Sequence, residues 1–501
     1  MNDMSVNGEL TEQTTRAGGP ATGPAIEDFR CIATRGISDP LNAYPHSMKW
    51  HLDKLFVGTT RANMCALRVS KVKTNIGVWP VECPDNLYDL DMRAQIHAWS
   101  GETGAWTEVF RSPLITGRDG STVPRELGFR GMTAYQGESD TAPALYTSTY
   151  ASARGYGCNI LRTLDGANFE PIPMPKEFGE FVLTLRLLIP FKGRLFTSPT
   201  GRAGDPNASN FAAIFETRDP VKGDWRLVNA PSFGDKGNLS VFEMLPFGDH
   251  LYAGTANLEG YQLWRTDAEG DPPYRWERLL TKGAWRGKDS QGAASLCVHN
   301  GALYVGGGIQ HGGVDVANKT GPAGPELVRV HPDGSWDLIV GAARDTPDGR
   351  KEPLSGYGPG FNSFLTGYFW RMGSHDGWLY VGTFRWSLMM NYSVQDRWPD
   401  LFRRFHARLG PDEIMRRLGG AELYRSADGE NFLPVTQDGF GNPYNYGIRG
   451  IEPTPFGVAV GTVNPFAPRV AKLKRDGTLD GYVDNPRGGL EIWLGRKAPA
   501  S

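Results

Sequence analysis

Arginine is the residue whose placement in this 501-residue chain most suggests chemistry. Arg130, Arg186 and Arg449 occupy one position of a short apolar strand that recurs along the sequence, and His46, Phe242, Ala294 and Trp370 hold that position in the other copies. A second recurring position closes each phrase of the type LYVGT. It holds Arg61, Ala151, Gly201, Asn257, Ile309, Arg385 and Asn464. Neither row contains Asp or Glu. A guanidinium donates two parallel hydrogen bonds from a planar fork, so this concentration of cations suits a carboxylate or another anion. For any one arginine, an ion pair with a nearby carboxylate such as Glu243, Glu452 or Asp289 is the competing structural reading. Tyr444 and Tyr446, in GFGNPYNYGIRG before Arg449, add phenols whose ionised form neighbouring cations favour. Their competing reading is that of packed lid residues. Trp370, Phe242, Phe369 and Trp386 would supply apolar walls, so the expected substrate is hydrophobic with one polar end.

The elements that must position these residues are read from internal repeats. KLFVGTTR (54–61), ALYTSTYA (144–151), RLFTSPTG (194–201), HLYAGTAN (250–257), ALYVGGGI (302–309), WLYVGTFR (378–385) and VAVGTVN (458–464) mark seven copies of one strand. A third strand of the type ELYRS follows, then an outer strand carrying Trp106, Phe169, Trp225, Trp276, Trp336 or Phe432. Two residues beyond the first row lie Met48, Met132, Leu188, Met244, Leu296, Met372 and Ile451, apolar in every copy and expected between neighbouring units. The fold class predicted is all-β: a seven-bladed propeller of four-stranded blades. The last copy ends at its third strand, LEIWLGR (490–496), so DFRCIATRGI (28–37) is expected to complete it and close the ring. Residues 1–26 are expected to form a disordered tail and 27–497 a single propeller. Two cap insertions are expected near 62–93 and 386–420. The second contains Trp398, Leu401, Phe405 and Leu409 at helical spacing, which predicts a short amphipathic helix with its arginines on the outer face. The DG pairs at 165–166, 333–334 and 428–429 read as hairpin turns rather than sialidase Asp-boxes, because Asp and Gly are adjacent.

Composition narrows the function classes. A net charge of −2 without a long basic run argues against nucleic acid as a partner. No apolar stretch is long enough to span a bilayer, and residues 1–26 lack the pattern of a secretory signal, so no transmembrane segment and a cytoplasmic location are expected. Cys31, Cys65, Cys83, Cys158 and Cys297 are odd in number and without a CxxC pair, and are read as free thiols. No cofactor is predicted; the nine histidines show no metal-ligand spacing, and a structural calcium is left open without a motif to place it.

The phrases HSMKW (46–50), KLFVGTTR, NYGIRGIEPTPFGVAVGTVNPF (445–466) and GGLEIWLG (488–495) resemble the propeller of the alkylating enzymes that form cylindrocyclophanes, and of relatives that use alkyl chlorides in esterification. The resemblance covers about 40–496. It implies secondary metabolism and natural-product biosynthesis, with an arginine and a tyrosine at the channel mouth activating a secondary alkyl chloride toward an aromatic carbon or a carboxylate. By position the arginine is Arg61 and the tyrosine Tyr446 or Tyr444. His46, Arg130, Arg186, Phe242, Asn257, Trp370, Arg385, Arg449 and Asn464 are then the expected substrate-binding residues. The chain departs from that family in lacking Gly/Asp nonapeptide calcium repeats, which puts calcium dependence and the reaction itself in question. Two other classes compete. One is a glycan or uronate hydrolase or lyase that clamps a sugar carboxylate, against which no acid Asp stands in either row. The other is a propeller that binds a ligand or a protein without catalysis.

Overall fold

The computed structural model describes residues 23–70, 74–174, 178, 182–201, 209, 211–310, 312–396, 398 and 400–496. Successive antiparallel hairpins group there into four-stranded meanders. The first runs Asn42–His51, Lys54–Arg61, Gln95–Ser100 and Trp106–Arg111, each strand paired with the next. The same pairing order recurs from Glu126–Tyr135, Ile189–Phe191, Asn238–Phe247, Gly292–His299 and Thr366–His375. In the last meander, Gly447–Thr454, Gly457–Val463 and Ile492–Gly495 are joined by Phe29–Ala33 from the other end of the chain, with Phe29 opposite Gly495. Inner strands pack side by side around a centre, and Gly447–Thr454 meets Asn42–His51. The meanders therefore close into the ring of a β-propeller, with the expected strand as its clasp.

Between blades the apolar row does the packing. Met48, Leu188, Met244, Leu296, Met372 and Ile451 are buried and Met132 is half-buried. Glycine makes room for them: a Cβ on Gly450 would lie 2.1 Å from Met48 Sδ. The DG turns are structural, as read. Asp165 Oδ1 accepts from the amides of Ala167 and Asn168, and Asp428 Oδ1 from those of Glu430 and Asn431, while Gly166 and Gly429 take φ of 72° and 77°.

Three expectations need correction. Of the expected tail, residues 1–22 lie outside the described residues, but 23–25 are packed rather than disordered, while Ile26 is exposed. Gly23 and Pro24 are buried, Gly23 lies against the Trp378 indole, and the Ala25 amide donates to Asp28 Oδ2 at 2.8 Å. The thiols are not all free either: Cys65 and Cys83, with Cα atoms 5.5 Å apart, form a disulfide inside the first insertion, leaving Cys31, Cys158 and Cys297 as thiols. An 18-residue separation matches no local motif, and only the folding of that loop brings the pair together. Finally, the helix Asp400–Leu409 is present, but Leu401 and Phe405 face outward while Phe402 and His406 turn inward. A 3.6-residue period permits either face. The imidazole of His406 takes the buried one because the Asn391 and Gln395 side chains satisfy both its nitrogens at 3.2 Å. Among the described residues no helix is long and apolar enough to cross a membrane.

Candidate functional site

Six inner strands carry a β-bulge at the first arginine-containing row. The pairing skips one residue between Pro45 and Ser47, Phe129 and Gly131, Val241 and Glu243, Ala293 and Ser295, Phe369 and Arg371, and Ile448 and Gly450. The skipped residues are His46, Arg130, Phe242, Ala294, Trp370 and Arg449. Arg186 occupies the matching gap between Thr184–Leu185 and Ile189–Phe191. A bulge leaves one residue out of the ladder and re-aims its side chain. All seven residues line one cavity of about 960 Å³ at the centre of the ring.

The cavity has three levels. At the floor, Arg186 stacks on Phe242 with its guanidinium 3.7 Å from the ring centre, and its Nε donates to Phe242 O at 2.5 Å. Arg449 lies 5.9 Å from the Trp370 ring, and its Nη1 is buried without a hydrogen-bond partner among the described residues. Arg371 packs beside them, donating to Arg449 O at 3.3 Å and to Glu243 Oε2 at 3.4 Å. Burial, then repulsion among these cations, pushes Arg186 and Arg449 well below the usual arginine range. Burial and the surrounding arginines likewise hold His46 well below the usual histidine value, so its imidazole is neutral near pH 7. His46 Nδ1 lies 2.5 Å from Thr60 Oγ1.

Above the floor is an aromatic waist. The Tyr44 and Tyr446 hydroxyls share a hydrogen bond of 2.8 Å, Trp370 meets Tyr44 and Phe384 edge to face, and Phe384 meets Tyr446 at 4.9 Å. The roof comes from insertions that follow second strands: Met64 and Leu67 from the first cap, Val316 from a loop after Ala302–Gly308, and Trp386, Met389 and Phe402 from the second cap.

The two rows thus fare differently. The second row does not form a cation ring. Arg61 touches the cavity, but its buried guanidinium is held by Asp39 Oδ2 at 2.5 Å, Asn42 Oδ1 at 2.8 Å and Asp91 O at 2.7 Å. Arg385 pairs with buried Glu422 at 3.1 Å. Asn257 bonds Asn238, and Asn464 bonds Asn445 and Arg487 O, outside the cavity lining. The reason is strand alternation: the preceding residues Thr60, Tyr150 and Phe384 face the cavity, so their neighbours face the blade interior. Tyr444 packs on Phe466 away from the cavity, whereas Tyr446 lines it. Phe369 is core rather than wall. Nor is the tyrosine an easy base: burial pushes Tyr446 and Tyr44 up rather than down. Tyr44 and Tyr368 escaped the sequence reading, although both stand two residues before the first row and so share its face. Arg371 escaped it because the bulge upsets simple alternation, whereas Glu243 was expected as an ion-pair partner and does pair, with Arg371.

Among the described residues no group of three or more His, Cys, Asp or Glu is disposed to hold a metal ion. No family model and no curated protein matches the sequence. Solved structures with similarity include an ancestral GH74 enzyme (12% identity, TM-score 0.47, covering 91% of this chain and 49% of that one). A puromycin hydrolase aligns at 12% identity, TM-score 0.41, over 91% of this chain and 54% of its own. An arabinanase from Bacillus subtilis aligns at 11% identity, TM-score 0.30, over 51% and 88% respectively. The chain thus spans about half the length of the GH74 enzyme.

Proposed function

We propose that this chain is a seven-bladed propeller enzyme of natural-product metabolism. It holds an elongated apolar molecule with an anionic, or anion-forming, end against the arginine floor. The reaction proposed is alkylation of a phenol-type carbon or a carboxylate by an alkyl halide. One observation supports the reading above others: cations and a neutral imidazole lie at the bottom of a cavity whose waist and roof are aromatic and aliphatic. The arginines favour an anionic nucleophile there. The nucleophile enters as its anion, its proton released to solvent on binding, and His46, in the tautomer whose Nδ1–H donates to Thr60, orients it by accepting at Nε2 from any O–H it retains. As the new carbon–carbon or carbon–oxygen bond forms, the carbon–halogen bond breaks and the halide leaves with the electron pair. The O–H of Tyr44 or Tyr446 donates to that halide, and walls of low polarity keep water from competing.

The test is incubation with secondary alkyl chlorides plus resorcinols or long-chain carboxylates, reading coupled product by mass spectrometry and free chloride by ion chromatography. Product that disappears in His46→Gln supports the mechanism. Absence of both product and chloride across the panel rejects it. A second reading, processing of a uronate or other acidic glycan, is favoured by the trio Arg130, Arg186 and Arg449. Against it, Asp315 is the one carboxylate among the described cavity-lining residues, and Gln291 and Asn318 hold it. A hydrolase of the usual kind needs two. Release of sugar from acidic glycans would select that reading, and retention of an unchanged ligand would select a binding propeller.

A further inference from the structure

The outer side of the second cap sets exposed apolar and basic side chains together. On the helix Asp400–Leu409, positions 401, 404, 405 and 408 follow the i, i+3, i+4, i+7 spacing of one face. That face carries Leu401, Arg404, Phe405 and Arg408, all exposed, with Leu401 76% and Phe405 44% accessible. Neither Arg404 nor Arg408 makes an ion pair among the described residues, in contrast to Arg403, which pairs with Asp400. From 400 to 418 there are five arginines against three carboxylates, in a chain whose formal net charge is −2. The local sign therefore opposes that of the whole molecule.

The opposite side of the same helix reaches the cavity. Phe402 lines it and meets Phe364 at 5.3 Å, and Phe364, itself a cavity-lining residue, is 40% exposed. Phe402 and Phe364 thus carry apolar surface from the cavity to the outside of the same cap. Large apolar side chains standing next to unpaired guanidinium groups on one short helical face have the chemistry of an interfacial helix, which inserts its apolar groups among acyl chains and sets its cations against anionic headgroups.

We propose that this face docks on an anionic lipid bilayer, with Leu401 and Phe405 entering the acyl boundary and Arg404 and Arg408 held at the headgroups. The cavity mouth then opens toward the membrane, so an apolar ligand can pass between bilayer and cavity without crossing bulk water. The inference does not depend on the reaction proposed above, because docking is measured without substrate.

The experiment is co-sedimentation of the full chain with phosphatidylcholine vesicles, with and without phosphatidylglycerol, across a salt series. Binding is expected only to the phosphatidylglycerol vesicles and is expected to weaken as salt rises. Two double variants, Leu401→Ser with Phe405→Ser and Arg404→Glu with Arg408→Glu, are each expected to reduce partitioning by at least about tenfold. All four side chains are exposed, so melting temperatures should match the parent, which separates lost docking from lost folding. No binding to anionic vesicles overturns the proposal, as does binding that survives both double variants. Self-association of the parent in light scattering that the Leu401/Phe405 variant abolishes, without vesicle binding, would also overturn it and assign the face to a second copy of the chain.

Discussion

At the scale of single residues, arginines of one type play opposite parts, and stability measurements should separate them. Arg449 sits among like charges with part of its guanidinium unpartnered, so Arg449→Met should raise Tm by about 1–2 °C while removing turnover. Arg61 is clamped by three acceptors, and Arg61→Lys, which keeps the charge but loses the fork, should cost ~2 kcal/mol in denaturant unfolding. The sequence shows both as arginines in a repeat; what it hides is the direction of each side chain. The hydroxyl pair of Tyr44 and Tyr446 gives a second expectation. Each single Phe variant should lose about 1 kcal/mol by orphaning its partner, and the double variant should lose less than the sum. His46 gives a third, through pH. Its folded pKa is depressed, so the unfolded chain binds a proton near the ordinary value of about 6.5 that the folded chain refuses. Stability from this group is complete above that value and is lost as pH falls below it. His46→Gln should therefore make the decline of Tm from pH 7 to pH 5 shallower. His97, His299 and His406, also depressed, contribute to the slope in the same direction.

At the scale of elements, the repeated strands were legible because each copy must satisfy the same packing, with an apolar residue between blades and an aromatic on the outer strand. The insertions were legible as interruptions of that period, and the second also as a helix, but neither the first cap's structure nor the face the helix turns inward was. No repeat constrains them, and their contacts are made only with the finished ring. The first cap shows this most clearly, since its disulfide joins the roof helix Asn63–Arg68 to the segment near Glu82, which pairs with Arg469 of a distant hairpin. Thiol titration in denaturant is expected to read three cysteines without reductant and five with it. Five without reductant would show the cap unstapled. Such bonds persist in oxidising compartments, and so the bond and the expected cytoplasmic location pull in opposite directions.

At the scale of the whole molecule, the ring holds because its two ends share a blade. Removing residues 1–22 should leave Tm unchanged, whereas removing residues through Ala33 strips the outer strand from Ile492–Gly495 and exposes that edge. Equal melting temperatures for the two truncations would refute the clasp. The bulges on the inner strands have a wider meaning. A residue excluded from the ladder owes nothing to strand pairing, so its identity is free to change while the architecture is inherited intact. His, Arg, Phe, Ala and Trp already occupy equivalent places around this centre. The ring behaves as a fixed frame with interchangeable inserts, through which descent can alter what the cavity accepts without the protein having to learn a new way to fold.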